Sequence, residues 1–258
     1  SDVKIEGYPG SVIDLCVSER IKKQDIEHLV EPFRTQTETR LWQSEFWGKW
    51  MLSAVDAWKY TQDAELMKTM QTAVAGLLET QLENGYIGNY APDAQLTQWD
   101  IWGRKYSMLG LIRYFEITGD KKALAAAQKV ADHLLTQVGP GQKDITFTGN
   151  YHGMASSSVL EPIVYLYSHT GEKRYLDFAE YIVKQLETPD DPKLISKALA
   201  DIPVAERFPH PEVWWSWENG QKAYEMMSCY EGLLQLYLVS GNQDYLKAVV
   251  EVADNIIE

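Results

Sequence analysis

Four segments of this chain share one pattern, and that repetition limits the fold more than any other feature. They read "KYTQDAELMKTMQTAVAGLL" from Lys59, "EITGDKKALAAAQKVADHLL" from Glu116, "SHTGEKRYLDFAEYIVKQLE" from Ser168 and "LVSGNQDYLKAVVEVADNII" from Leu238. Each is a small polar turn followed by a run with apolar residues three and four positions apart, the spacing of one helix face. Gly119, Gly171 and Gly241 stand where a helix end needs a residue in the left-handed region. Upstream of every turn lies a second helical run, at residues 45–60, 101–117, 158–169 and 221–239. Repeats of this kind mean stacked helical pairs. Asp100 and Ser158 are expected N-caps, with Ser158 and Glu161 forming a capping box. "DITFTG" at residues 144–149 is the single expected strand.

The first helix of each pair is the more apolar and aromatic, as in "YSMLGLIRYF" and "YEGLLQLYLV", and the second carries more charge. That contrast predicts inner and outer helices of an all-α fold, an α/α toroid of the (α/α)6-barrel type, with four of the six hairpins visible. The expected division is an N-terminal arm over residues 1–36, with a short helix near 24–30, and a toroid domain over 37–258 that is incomplete at its C-terminus. The side of the last helix formed by Val249, Val250, Val252, Ala253, Ile256 and Ile257 stays apolar to the end. Self-association or a missing C-terminal region is the expected cover for it.

Charge and motifs exclude several functions. Lysine and arginine number 24 against 37 acids, for a formal net charge of −13, so a nucleic-acid footprint is not expected. No run of 18 apolar residues is present, and the N-terminus shows no apolar leader segment, so no membrane partner is expected. Cys16 and Cys229 are the only cysteines, which falls short of a structural zinc set, so no metal site is expected. Neither a P-loop, a GxSxG nor an HExxH occurs.

Loop lengths place the candidate site. The turns inside the hairpins are short, whereas the connections at residues 83–100, 139–157 and 188–220 are long. Long connections fall at one end of the stack, over the N-termini of the inner helices, and loops of that length are usually functional. Trp42, Trp47, Trp99, Trp102, Trp214, Trp215 and Trp217 all belong to that end, seven of nine tryptophans. The same segments hold Glu38, Glu45, Asp100, Glu218 and Glu225, together with Arg40, Lys49, Arg104, Lys105, Tyr106, His152 and Lys222. Flat rings that stack on sugar C–H faces, beside acids and donors, suit a carbohydrate ligand, and two carboxyls can cleave a glycosidic bond. The expected catalytic candidates are Glu45, Asp100 and Glu225. The expected substrate-binding residues are Trp47, Trp99, Trp102, Arg104, Tyr106, His152, Trp217 and Lys222. Plainer readings exist for several. Glu45 suits a helix dipole, Asp100 a cap, Glu161 a capping box, and His152 is a loop histidine. Glu225 is the hardest to explain away, because a charge one turn inside an inner helix is costly unless paired or used.

"SEFWGKW", "QLENGYIGNY", "ITGDKKAL", "YLYSHTGEKRYLDFAEYIV" and "LQLYLVSGNQDYL", in this order, resemble the β-L-arabinofuranosidase superfamily, glycoside hydrolase family 127 and its relatives, from about Trp42 onward. The resemblance implies an (α/α)6 barrel, hydrolysis of arabinofuranoside-like linkages in plant-type glycans, and a periplasmic or secreted setting. It also implies a zinc-dependent retaining mechanism with a cysteine nucleophile. Family histidines at the starts of inner helices correspond here to Tyr106, Ser156 and Lys222, with His152 the nearest histidine. The family's Glu-x-Cys motif and Cys-Cys pair are absent, so no cofactor is expected in this chain, and the family's catalytic residues lie further along than the chain reaches. The rival expectations are another toroid sugar enzyme, a 2-epimerase or an unsaturated uronyl hydrolase, or a glycan-binding domain without catalysis.

Overall fold

The computed structural model describes residues 3–208 and 222–257. Four helical hairpins carry the domain: α3 (Glu45–Thr61) with α4 (Ala64–Glu79), α5 (Asp100–Thr118) with α6 (Lys121–Gln137), α8 (Leu160–Thr170) with α9 (Lys173–Leu186), and α11 (Ala223–Ser240) with α12 (Gln243–Ile257). The first helices of the pairs stand side by side in chain order, α3 on α5, α5 on α8 and α8 on α11. They form the inner layer of an α/α toroid, and each outer helix packs behind its partner.

The sequence pattern explains both layers. In α4 the buried residues are Leu66, Met70, Ala73, Val74 and Leu77, one stripe with solvent opposite. The stripe of α9 runs through Tyr175, Phe178, Ala179, Ile182, Val183 and Leu186. In contrast, α5 is buried on all sides through its first four turns. At the hairpin turns Gly119, Gly171 and Gly241 sit at φ 71, 68 and 71, and Gln62 takes the same left-handed position at φ 55 in the first pair. Asp63 then caps α4 by accepting from Glu65 N and Leu66 N at 2.8 and 2.9 Å, and Asp120 caps α6 from Lys122 N at 2.9 Å. Such caps contribute about 1 kcal/mol each.

The crossing of α3 and α5 depends on missing side chains. A Cβ on Gly48 would stand 2.1 Å from the Tyr106 carbonyl oxygen, and one on Gly110 would stand 2.6 Å from the Trp47 ring. The two backbones approach closely enough that only glycine fits.

Several expectations are corrected. The arm has two helices: α1 (Gly7–Cys16), prolonged by a π turn over Val17–Ile21, and α2 (Ile26–Thr35). Leu29, Val30 and Phe33 of α2 are buried, and α2 packs on α4. The expected strand is a 3₁₀ turn, Ile145–Phe147, because Asp144 Oδ1 accepts from Thr146 N at 3.0 Å and curls the chain locally. The described residues contain no strand, only isolated bridges at Glu38–Tyr90 and Val138–Lys143. Ser158 is not the N-cap of α8, a place taken by Val159. A short helix α7 (Met154–Ser157) precedes Ser158, whose hydroxyl donates to Ala155 O at 2.7 Å, and α8 begins two residues later. Asp100 is the first residue of α5, and its carboxylate reaches back to Leu96 N at 2.8 Å. Another short helix, α10 (Leu194–Leu199), comes from the third long connection and packs on α12. It covers part of the last hairpin, leaving Leu238, Val250, Ile256 and Ile257 exposed. No described helix is long and apolar enough to cross a membrane.

Candidate active site

The first turns of the four inner helices meet at the loop-rich end. Glu45 opens α3, and Lys49 one turn later donates to its Oε1 at 2.8 Å. The Trp102 indole of α5 donates to Glu45 Oε2. Around the Trp102 ring stand Tyr106 of α5 at 5.2 Å and Tyr224 of α11 at 5.3 Å, both edge to face, with Lys105 at 5.0 Å. The Tyr106 and Tyr224 hydroxyls share a 2.7 Å hydrogen bond, so α5 and α11 are tied across the site. Lys49 lies over both phenol rings at 5.0 Å. Lys105, almost fully buried, pairs with Glu161 of α8 at 3.5 Å. Burial pushes the Glu161 carboxyl above its usual range, and Lys105 only partly offsets this.

Glu225, the third residue of α11, is 2% exposed. Its Oε2 is buried and has no partner among the described residues. Burial raises its pKa above the usual carboxylate range. Its own backbone N–H and the Lys222 ammonium oppose the shift, the Glu45 charge adds to it, and Lys49 opposes it. The interaction with Glu45 and Lys49 puts Glu225 in the same electrostatic cluster. A buried carboxyl with a raised pKa keeps its proton to higher pH than an exposed one, which suits a general acid. Tyr151, pushed up to about 12 by burial and by Glu225, completes that side, with Lys222 at 5.6 Å from its ring. Tyr151 and His152 are both left-handed, at φ 57 and 50, a strained pair of the kind that clusters at functional sites.

Other candidates have different roles. Asp100 and Arg104 form a fully buried pair, Arg104 Nη2 to Asp100 Oδ2 at 2.5 Å. Asp100 also accepts from the Tyr86 hydroxyl at 2.8 Å and from Leu96 N, and Arg104 donates further to Gln137 at 2.6 Å. Every strong bond of both groups is used inside the protein, so neither is left for substrate. Trp47 is a core residue, fully buried, its indole donating to Ala73 O at 3.1 Å. Trp99 and Trp102 remain in the site, their rings 5.9 Å apart. His152 is exposed. Trp214, Trp215, Trp217 and Glu218 lie outside the described residues. Sequence reasoning placed Lys105 at this end without a role, read Glu161 as a capping residue, and passed over Tyr151 and Tyr224. The available signal was a Lys and a Glu near the starts of helices that are otherwise apolar.

Among the described residues the donors do not make a zinc set. Among the described residues no three His, Cys, Asp or Glu converge on one point. Cys16 is exposed on α1, and Cys229 is buried on α11, its thiol pushed up to about 12 by burial and donating to Met154 O at 3.2 Å.

An inner ring of helix N-termini carrying carboxyls, cations and aromatic rings defines an α/α toroid with a polar site at its loop-rich end. Similar folds occur in a GH127 β-L-arabinofuranosidase from Geobacillus stearothermophilus T6 (TM-score 0.68, 18% identity, 98% of this chain and 45% of that one). The GH76A α-1,6-mannanase from Salegentibacter sp. HEL1_6 is also similar (TM-score 0.56, 14% identity, 90% of this chain and 69% of that one). The family profile described as Beta-L-arabinofuranosidase, GH127 catalytic domain, matches residues 12–206, and the chain belongs to that family. In sequence it is 29% identical over 164 residues to a non-reducing end beta-L-arabinofuranosidase from Bifidobacterium longum subsp. longum, covering 58% of this chain and 24% of that protein. The chain thus spans about a quarter of that relative and under half of the Geobacillus enzyme. Glu45, Lys49, Trp102 and Glu161 fall inside the family match, and Glu225 falls beyond it.

Proposed function

We propose that the protein is a glycoside hydrolase acting on arabinofuranoside-like linkages of plant-type glycans, with Glu225 as general acid and Glu45 as the second carboxylate. The observation that carries this reading is the buried Oε2 of Glu225, without a partner among the described residues and with its pKa raised by burial and by the charge of the ion-paired Glu45. In the proposed reaction Glu225 gives its proton to the departing glycosidic oxygen. The positive charge that develops on the sugar is stabilised by Glu45, which Lys49 and Trp102 hold in place; water then adds to the anomeric carbon and its proton returns to the Glu225 carboxylate. Carboxylates have about four lone-pair sites, so Glu45 keeps accepting capacity after those two bonds. Tyr106, Tyr224 and Tyr151 supply rings and hydroxyls for the sugar. Family membership supports the arabinofuranoside class. The mechanism rests on this chain's own residues and is not routed through zinc.

The test uses the full-length protein and a panel of glycosides that includes β-L-arabinofuranosides. Release of L-arabinose, with kcat reduced about 10²–10⁴-fold in Glu225→Gln, is the expected result. Cleavage by Glu225→Gln at the unmodified rate, or no cleavage of any glycoside, overturns the reading.

A further inference from the structure

Beside the Glu45 cluster lies a separate cleft of about 730 Å³, within the range of small-ligand sites, lined by Glu38, Arg40, Trp42, Gln98, Trp99 and Asn150. Trp99 is the partition. Its ring meets Trp42 at 6.1 Å on the cleft side and Trp102 at 5.9 Å on the Glu45 side, both edge to face. Trp42 is 41% exposed, a large ring kept partly in water by its position against Trp99. The cleft walls are fixed in advance. Glu38 N donates to Asn89 O at 3.0 Å and Ala91 N to Glu38 O at 2.9 Å, while the Tyr90 hydroxyl donates to Leu41 O at 2.9 Å.

The polar groups are arranged for a neutral polyol. Glu38 Oε1 accepts from the backbone N–H groups of Thr39, Arg40 and Leu41 at 2.8, 2.8 and 3.0 Å. Burial alone would raise this carboxyl, but the three donors hold it below its usual range, so it is charged at neutral pH. Its other oxygen has no partner among the described residues. Arg40 is exposed and forms no ion pair among them. Asn150 Nδ2 also lacks a partner there. An indole face for ring C–H groups, a carboxylate oxygen for hydroxyl donors, and a guanidinium and an amide for hydroxyl acceptors are what a sugar ring requires. The fixed negative charge of Glu38 disfavours a uronate.

We propose that this cleft is a second sugar subsite, which binds a neutral neighbouring unit of an oligosaccharide whose first unit lies at Glu45 and Glu225. The proposal rests on the glycan reading of the main site and makes the protein selective for oligosaccharides over single glycosides. Full-length protein is assayed with an L-arabinofuranosyl disaccharide and with methyl β-L-arabinofuranoside. Trp42→Ala and Arg40→Ala are expected to lower kcat/KM for the disaccharide about tenfold, through KM, a loss of the size one stacked aromatic contact supplies. The methyl glycoside should be cleaved as before. Both side chains are exposed, so unchanged thermal unfolding is expected to show that the variants fold. Equal effects on the two substrates, or none on either, overturn the subsite and leave the main site's reading standing. If the unmodified protein cleaves neither substrate, calorimetric titration with the disaccharide decides. Binding that weakens about tenfold in Trp42→Ala then supports the subsite although the hydrolase reading has failed. Binding that is absent or unchanged overturns it.

Discussion

Arg104 donates to Asp100 one turn before it at 2.5 Å, and both side chains are completely shut off from solvent. Tyr86, Leu96, Gln95 and Gln137 supply further hydrogen bonds to the pair. Removing one member leaves the other as an uncompensated buried charge, which costs about 3–5 kcal/mol. Asp100→Ala is therefore expected to lower stability by that amount in urea unfolding, with any loss of activity tracking the loss of fold. A variant within about 1 kcal/mol of the parent would show that the pair is not structural.

The α3–α5 crossing gives a paired test of backbone proximity. Gly48→Ala drives a Cβ into the Tyr106 carbonyl and is expected to cost about 3 kcal/mol. Gly76, on α4, has nothing nearer than Val30 at 3.4 Å. Gly76→Ala should be neutral or stabilise by up to about 1 kcal/mol, since alanine restricts the unfolded chain. Similar thermal shifts for the two variants would contradict the close approach.

Thiol accessibility separates the cysteines. Cys16 is exposed, whereas Cys229 is buried and its thiol is pushed up to about 12. Thiolate is the reactive form, so native protein should consume a single equivalent of Ellman's reagent quickly, and a second only on unfolding. Two fast equivalents would mean that α11 opens at the site.

The hairpins were legible in the sequence because they rest on local signals: an apolar period near 3.6, a glycine at three of the four turns, and an aspartate cap after two of them. The inner layer was legible from its apolar excess. The site was legible only in part. Its end of the barrel followed from loop lengths, but the partners of each side chain are long-range facts. Asp100 and Arg104 are four residues apart, yet their role is decided by Tyr86 and Gln137. Glu161 looked like a capping residue because Ser158 stood three before it. The insertion of α7 moved the helix start, and Lys105, 56 positions earlier in the sequence, captured the carboxylate. Trp47 and Trp102 both begin inner helices, and only tertiary packing sends one into the core against Ala73 and the other onto Glu45.

The Glu225 carboxyl links the proposed chemistry to stability. Its folded pKa is raised from the usual 4.5, chiefly by burial, with the charge on Glu45 adding and those on Lys222 and Lys49 subtracting. Between 4.5 and the folded value, the folded protein keeps a proton that the unfolded chain has released. Stability from this group is therefore full below pH 4.5 and falls as pH rises through that window. Glu225→Gln removes the titration and keeps the shape. Its stability advantage over the parent should be close to zero at pH 4 and should grow to about 1–2 kcal/mol at pH 8, the size found when a functional site is relieved of its cost. Glu161 is also raised, but it is common to both proteins and cancels in the difference. Denaturant unfolding of parent and variant across this range measures the difference directly. Activity of the parent should fall over the same window as pH rises, because the proton that Glu225 supplies is lost there. A stability difference that is flat with pH, or largest in acid, would mean that Glu225 is already ionised in the folded protein and is not poised as an acid.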